Sequence, residues 1–212
     1  MNRKVFLFLK RMFDIVISIL LLILLSPIIF LVTFLIKMNS DGPAVFVQKR
    51  VGLNGRTFSC YKFRSMRNGA DQKTYYEFIR KAIRNEYGNG TATNHIEFKT
   101  KDNRLTAVGK IIRLTSFDEI PQLLNVIAGD MSLIGPRPDV PESVQYYTDF
   151  ELKRLNVKPG ITGWWQVNGR SHLSLKQMFV LDNYYVDNQN LWLDVKIFFK
   201  TIYVVIMMKG SG

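Results

Sequence analysis

Apolar residues run from Ile15 to Ile36 without a charged interruption. As a straight helix this stretch would rise about 33 Å at roughly 1.5 Å per residue, enough to cross the hydrocarbon core of a bilayer. It reads as a segment in contact with lipid. A signal peptide fits poorly, because the apolar run is too long and no small-residue cleavage site follows it. Ser26-Pro27 stands at its centre, where the missing proline N–H and the clash of the ring with the preceding turn break or kink a helix.

The charges at the two ends of this run are alike. Arg3, Lys4, Lys10 and Arg11 precede it, and Lys37, Lys49, Arg50, Arg56, Lys62, Arg64 and Arg67 follow it. Each Lys or Arg near anionic lipid favours the cytoplasmic side by roughly 1 kcal/mol, so both ends prefer one face. A helix that enters, breaks at Ser26-Pro27 and returns meets both preferences, with the Ser26 hydroxyl available to a carbonyl released by the break. A kinked single span is the other solution these residues allow.

Further along, "AVFVQKRVGLNGRTFSCYKF" reads as two strands joined at Gly52-Leu53-Asn54-Gly55, a hairpin pattern. Residues 71 to 87 space Tyr75, Phe78, Ile79, Ala82 and Ile83 at helical intervals before "GNGTATN", which predicts an amphipathic packing helix. A short helix is expected from Leu105 to Arg113. The C-terminal stretch from Leu191 to Met208 is a second apolar helix, with Lys196 and Lys200 one turn apart among Trp, Phe and Ile. It suits a helix lying in a membrane interface. It equally suits a buried helix whose lysines reach water. Repeats and low-complexity linkers are absent from the sequence, so a second globular domain is not indicated.

Composition sharpens this picture in two respects. The net charge is +12, and residues 1–114 carry 20 Lys and Arg against 7 Asp and Glu, whereas residues 115–212 carry 9 against 10. The positive excess therefore lies beside the lipid-contacting segment, which argues against a nucleic-acid binder. Cys60 is the only cysteine, and the two histidines, His95 and His172, are far apart in sequence. An internal disulfide is excluded, a Cys/His zinc site is disfavoured, and a reducing compartment is implied.

Within that basic chain, "TSFDEIPQLLNV" places Asp118 and Glu119 side by side. Ser116 with Glu119 matches a capping box, and acids in a first turn suit the helix dipole. Pro121 disturbs that reading, since five positions past a cap its N–H should already be bonded. If regular helix starts nearer Pro121, the two acids sit at its mouth, where N–H groups favour anions. Two other stretches carry candidate chemistry. In "GPRP" two prolines hold Arg137 in extended backbone and aim a guanidinium able to grip phosphate oxygens in pairs. "GITGWWQVNGR" brings Arg170 onto a glycine-rich turn near Trp164 and Trp165.

The order "KRMFDIVIS", Ser26-Pro27, "GPAVFVQKRVGLNG", "YKFRSM", "RLTSFDEIPQLLNVIAGDMSLIGPRP" and "GITGWWQVNGRS" resembles the bacterial sugar transferases known as monotopic phosphoglycosyl transferases, over nearly the whole chain. The resemblance favours the re-entrant helix and implies an α/β catalytic domain at the cytoplasmic face of the bacterial inner membrane. The expected division is residues 1–38 for the membrane helix with its basic flank and 39–212 for the catalytic domain, the minimal form of the family. The implied reaction moves a sugar 1-phosphate from a UDP-sugar to undecaprenyl phosphate and releases UMP. It opens the assembly of exopolysaccharide, capsule, lipopolysaccharide or glycoprotein glycans, whose downstream glycosyltransferases would be partners.

A carboxylate is a competent nucleophile at phosphorus with UMP as leaving group, which casts Asp118 as nucleophile through a covalent aspartyl phosphosugar. Glu119 is its helper, as a Mg²⁺ ligand or a proton acceptor. Mg²⁺ needs only one or two carboxylates besides substrate oxygens, so a sparse metal site at Asp118 and Glu119 is expected. Arg113 and Arg137 are the expected phosphate binders. By resemblance Arg170 lies near the nucleotide, with Lys62, Arg64 and Asp182 as further candidates. The stretch 71–101 looks like an insertion, and neither the sugar nor a homo-oligomeric state follows from the sequence. A basic membrane scaffold without enzymatic activity would explain the charge and the apolar segments, but not the Asp-Glu, Pro-Arg-Pro and Asn-Gly-Arg motifs together.

Overall fold

The computed structural model describes residues 2–66 and 105–207. The helix expected at 71–87 and the insertion expected at 71–101 lie outside the described residues. The uninterrupted apolar run becomes two helices, α1 (Arg3–Leu24) and α2 (Ser26–Asn39), which meet at 62°. The break falls at Leu25, whose ψ of 1° ends the first helix. Pro27 then occupies the second position of α2, where a missing N–H loses no helical hydrogen bond. The Ser26 hydroxyl donates to the Ile23 carbonyl at 2.8 Å, the bond expected of a serine at such a break.

Neither end of this helix pair is loose. One stripe of α1, Phe6, Lys10, Asp14 and Ser18, recurs every four residues and is buried. Lys10 Nζ donates to Asp194 Oδ2 (2.7 Å) and to the Ile134 carbonyl (3.1 Å), and Asp14 Oδ1 accepts from the Leu133 N–H (3.1 Å). Arg11 donates to the carbonyls of Val126 and Ile127. In α2, Val32 and Ile36 are buried in the same apolar cluster as Ile112 and Leu123. Packing is therefore continuous across residue 38.

The hairpin forms as its pattern predicts. Strands β1 (Val45–Val51) and β2 (Thr57–Phe63) pair antiparallel, with Val51 opposite Thr57 and Val45 opposite Phe63. Asn54 and Gly55 take φ of 54° and 77° in the connecting turn, the left-handed region that Asn and Gly enter most readily. Helix α3 (Ala107–Leu114) follows, two residues in from the expected Leu105 start, with Thr106 Oγ1 accepting from Gly109 N–H. Gly109 packs directly on the hairpin's exit: a Cβ there would lie 1.9 Å from the Ser65 carbonyl oxygen.

A 3₁₀ turn (Phe117–Glu119) leads into α4 (Gln122–Ala128), which ends at Gly129 with φ of 96°. The fully buried Asn125 of α4 donates to the Ser59 carbonyl (2.7 Å) and accepts from Tyr61 N–H (3.0 Å), joining α4 to β2. Strand β3 (Ser132–Ile134) pairs in parallel with β4 (Gly160–Thr162). The crossover between them holds α5 (Pro141–Val144), α6 (Asp149–Leu152) and a 3₁₀ turn (Lys153–Asn156). Helices α7 (Leu175–Asn188) and α8 (Leu191–Ile206) complete a mixed fold of helices and two small sheets.

The C-terminal helix has one buried and one exposed face. Leu193, Ile197 and Val204 are buried, while Trp192 (78%), Phe199 (64%) and Tyr203 are exposed. Lys196 is exposed, as a lysine reaching water, and Lys200 is half-buried. Lys196 and Lys200 place their ammonium groups 5.4 and 5.1 Å from the centre of the Trp164 ring, which stacks on Tyr184, and Lys200 donates to Asn168 Oδ1.

Candidate active site

The turn that carries the two acids is shaped by Ser116. Its φ of 60° reverses the chain after α3, and its side chain makes no helix-capping bond, so the Ser116–Glu119 capping box does not form. Regular helix instead begins after Pro121, and Asp118 and Glu119 stand before it.

Glu119 is held. Its Oε1 accepts a short bond from Arg137 Nη2 and lies 3.8 Å from Lys62 Nζ. Lys62 reaches it because Asn125 fastens β2 to α4. The carboxylate of Asp118, next in sequence, makes no hydrogen bond or ion pair among the described residues. Burial and then the neighbouring Glu119 charge push Asp118 up to about 6, against the pull of Lys62, Arg137 and Arg113. Lys62 moves the other way, to about 8, through burial and then the Arg137 charge, with Glu119 opposing. For Arg137 burial works against its charge, but Glu119 more than offsets it and the guanidinium stays ionised.

Arg113 and Arg170 complete the cationic set. Arg113 Nε donates to Ser65 Oγ at 2.9 Å, a contact that the close packing of Gly109 on Ser65 makes possible. Arg170 sits after Gly169 (φ 148°) and itself has φ of 49°. Its Nε donates to the Gln166 carbonyl, and its charge falls within range of Glu119 and Arg137. Burial is the main cause of its lowered pKa. The structure thus brings together Asp118, Glu119, Lys62, Arg113, Arg137 and Arg170 from five separate stretches of the chain.

Two sequence-derived candidates for nucleotide contact are placed in other roles. Arg64 is 6% exposed, and its guanidinium donates to the carbonyls of Asp41 and Ser40, both at 2.7 Å, at the exit of α2. It fastens the bent N-terminal helix pair to the hairpin. Asp182 is 1% exposed and forms an ion pair with Arg154 at 2.8 Å. Burial is what raises its pKa, to about 6, with Arg154 opposing. Closeness in sequence to "YKF" and to the C-terminal helices could not show that these charges turn inward.

Other residues that hold the elements around the site escaped sequence reading. Asn125 is one; Arg50, Asp139 and Arg154, which surround the Pro-Arg-Pro loop, are others. The four-residue spacing of Lys10, Asp14 and Ser18 on an otherwise apolar helix was a readable sign of a buried polar stripe. For metal, no cluster of three or more His, Cys, Asp and Glu side chains capable of holding an ion occurs among the described residues. Adjacent carboxylate oxygens are hard donors suited to Mg²⁺, and the pair fits a sparse site completed by substrate oxygens.

A family model described as bacterial sugar transferase matches residues 5–208. The chain belongs to that family. It is 44% identical over 206 residues to an undecaprenyl-phosphate galactose phosphotransferase of Salmonella typhimurium, an alignment covering 96% of this chain and 42% of that protein. It is 41% identical over 202 residues to the exopolysaccharide production protein ExoY of Sinorhizobium fredii, covering 95% of this chain and 87% of the relative. An undecaprenyl-phosphate glucose phosphotransferase of Komagataeibacter xylinus is 39% identical over 204 residues, 91% of this chain and 35% of that protein. The chain therefore spans less than half of two of these relatives and most of the third.

Proposed function

We propose that this chain transfers a sugar 1-phosphate from a UDP-sugar to undecaprenyl phosphate, with Asp118 as a covalent nucleophile. The observation that carries the reading is the unequal state of two adjacent acids. Glu119 is held by Arg137 and Lys62, while the carboxylate beside it makes no such bond among the described residues. A carboxylate oxygen of Asp118 attacks the phosphorus that bears the sugar. The bond from that phosphorus to the bridging oxygen breaks, and UMP leaves with the electron pair. An oxygen of undecaprenyl phosphate then attacks the same phosphorus, the aspartyl–phosphorus bond breaks, and the carboxylate is regenerated.

Both steps gather negative charge, and catalysis of phosphoryl transfer consists mainly of positioning and neutralising it. Arg137 and Arg113 take the phosphates, Arg170 the nucleotide side, and Lys62 a position between Glu119 and the incoming anion. Asp118 and Glu119 would hold a Mg²⁺ ion, which would supply further neutralisation of negative charge. The decisive experiment offers labelled UDP-sugar to the purified chain without lipid acceptor. Label on Asp118 by peptide mapping is expected. Turnover without such a species, with kinetics of a ternary complex, refutes the nucleophile.

The membrane arrangement follows the same reading. The helix pair bent at Leu25 passes the length and composition test for a broken span only when taken together; no single helix among the described residues does. Lys10, Arg11 and Asp14 bind its beginning to the catalytic core, and Arg64 binds its end to the hairpin of that core. A segment fastened at both ends to one body returns to the side from which it entered. On this reading the pair enters and leaves the inner membrane at one face, and its basic flanks assign that face to the cytoplasm.

A further inference from the structure

Pro136 and Pro138 leave the loop around Arg137 short of N–H donors, so its backbone is held chiefly through its carbonyls. Four successive carbonyls are each taken by a donor from elsewhere in the chain. Pro136 accepts from Gly160 N–H (2.9 Å), Arg137 from Arg154 Nη2 (2.6 Å), Pro138 from Arg50 Nη1 (3.1 Å) and Asp139 from Val51 N–H (2.8 Å). Two of these donors are guanidinium groups, whose charged N–H bonds are the stronger kind.

The guanidinium of Arg154 is fixed on every side. It donates to the Tyr147 hydroxyl (3.1 Å), pairs with Asp182 (2.8 Å) and lies over the Phe179 ring, 5.2 Å from its centre. The Tyr147 hydroxyl in turn donates to Asp139 Oδ2 (2.7 Å), and that carboxylate stands 3.9 to 4.0 Å from Arg154 and Arg50. The whole assembly points at one residue of the loop, Arg137, whose side chain extends the other way to Glu119.

We infer that Arg154, braced by Asp182, is a positioning residue for the reaction: together with Arg50 it grips the Arg137–Pro138 and Pro138–Asp139 peptides by their carbonyls and fixes the origin of the Arg137 guanidinium. The inference rests on Arg137 as a phosphate binder. A guanidinium can reach a carbonyl, a hydroxyl and a carboxylate at once in a fixed plane, whereas an ammonium on a flexible stem cannot hold all three. Displacing a phosphate-binding group by about 1 Å lowers turnover by about 10²-fold, even when the altered residue never touches substrate.

The test uses the full chain purified in detergent and compares Arg154→Lys, Arg137→Lys and the double variant. Arg154→Lys should lower turnover by about 10²-fold. Amide exchange should quicken at Val51 and Gly160, the N–H groups that hold the same loop. The double variant should be no slower than Arg137→Lys alone, because the effect of Arg154 passes through Arg137. Multiplying losses in the double variant, or unchanged exchange in a folded Arg154→Lys protein, overturns the positioning role while leaving Arg137 as a phosphate binder. A fully active Arg137→Lys enzyme instead overturns the phosphate-binding reading itself. If Arg154→Lys does not fold, Asp182→Asn keeps the shape of the pair and loosens it. A roughly 10-fold loss with faster exchange at the same two amides is then expected, and wild-type values for both would overturn the inference.

Discussion

Two of the buried charge clusters among the described residues are built in opposite ways. Around Lys10 the charges close on one another. Its ammonium meets Asp194 at 2.7 Å, both side chains are under 10% exposed, and the Tyr185 hydroxyl lies 2.7 Å from the other carboxylate oxygen. Around Asp118 they do not close. Lys62, Arg113, Arg137 and Arg170 stand against Asp118 and Glu119, and Asp118 is left with a raised pKa beside a held neighbour. A closed pair locks helices together; an excess of cations around two acids is arranged for anions that arrive later.

Exchanging the acids for their amides is the sharpest way to break this comparison. Asp118→Asn should abolish covalent labelling and lower turnover by at least about 10³-fold. The fold should keep its stability or gain some, since a repulsion with Glu119 is removed. Asp194→Asn should do the reverse. It leaves the Lys10 charge buried without its carboxylate, a change that costs about 3 to 5 kcal/mol. Chemical denaturation of the two variants, with turnover per folded molecule, separates a working acid from a structural one. A stable Asp194→Asn protein would mean that the α1 stripe is not the anchor described above.

The topology gives a third, all-or-none test. Cysteines placed at Asn2 and Asn39 in separate variants, with the buried Cys60 as background, should react with an impermeant reagent from the same side of the membrane. Labelling from opposite faces would show a span. Pro27→Leu should shift molecules toward the spanning form only as far as Lys10, Arg11 and Arg64 release their partners, so that shift should be partial.

What the sequence revealed and what it hid divide along the same line. The Ser26-Pro27 break, the Asn54-Gly55 turn and the helix start after Pro121 are set by backbone chemistry within a few residues, and each was legible. The site motifs were legible as motifs, because the acids, Pro-Arg-Pro and Asn-Gly-Arg are contiguous. Partnerships across the chain were not. Lys10 finds Asp194 at a separation of 184 residues, and Arg154 finds the Arg137 carbonyl from the far side of a crossover. Arg64 and Asp182 were read as nucleotide contacts for the same reason: a charge in a motif looks alike whether it turns outward or toward a buried carbonyl. Lys196, exposed as read, and the half-buried Lys200 also converge on Trp164, a contact across the chain that the sequence did not show.

The smallest expected effect is in pH dependence, and it contrasts two groups of the open cluster. Burial and the Arg137 charge hold Lys62 to about 8, so it loses its proton as pH rises through that value, and the site loses a cation that helps to receive phosphate. The kcat/KM profile should therefore fall above about pH 8, by at most tenfold per pH unit. Lys62→Arg should erase that limb, because arginine stays charged. On the acid side, the proposed nucleophile Asp118 would have to be ionised to attack, so activity should fall as pH drops through about 6, and Mg²⁺ bound at the carboxylate would move that limb lower. Stability runs the other way. A carboxyl raised from 3.8 to about 6 favours the fold most when protonated, below its unfolded value, and that contribution is lost as pH rises through 6. In metal-free protein the wild type should therefore lose stability relative to Asp118→Asn between about pH 4 and pH 6 while its carboxylate becomes competent. Parallel melting curves for the two proteins across that interval would show that Asp118 carries no such strain and that its burial is not what sets the acid limb.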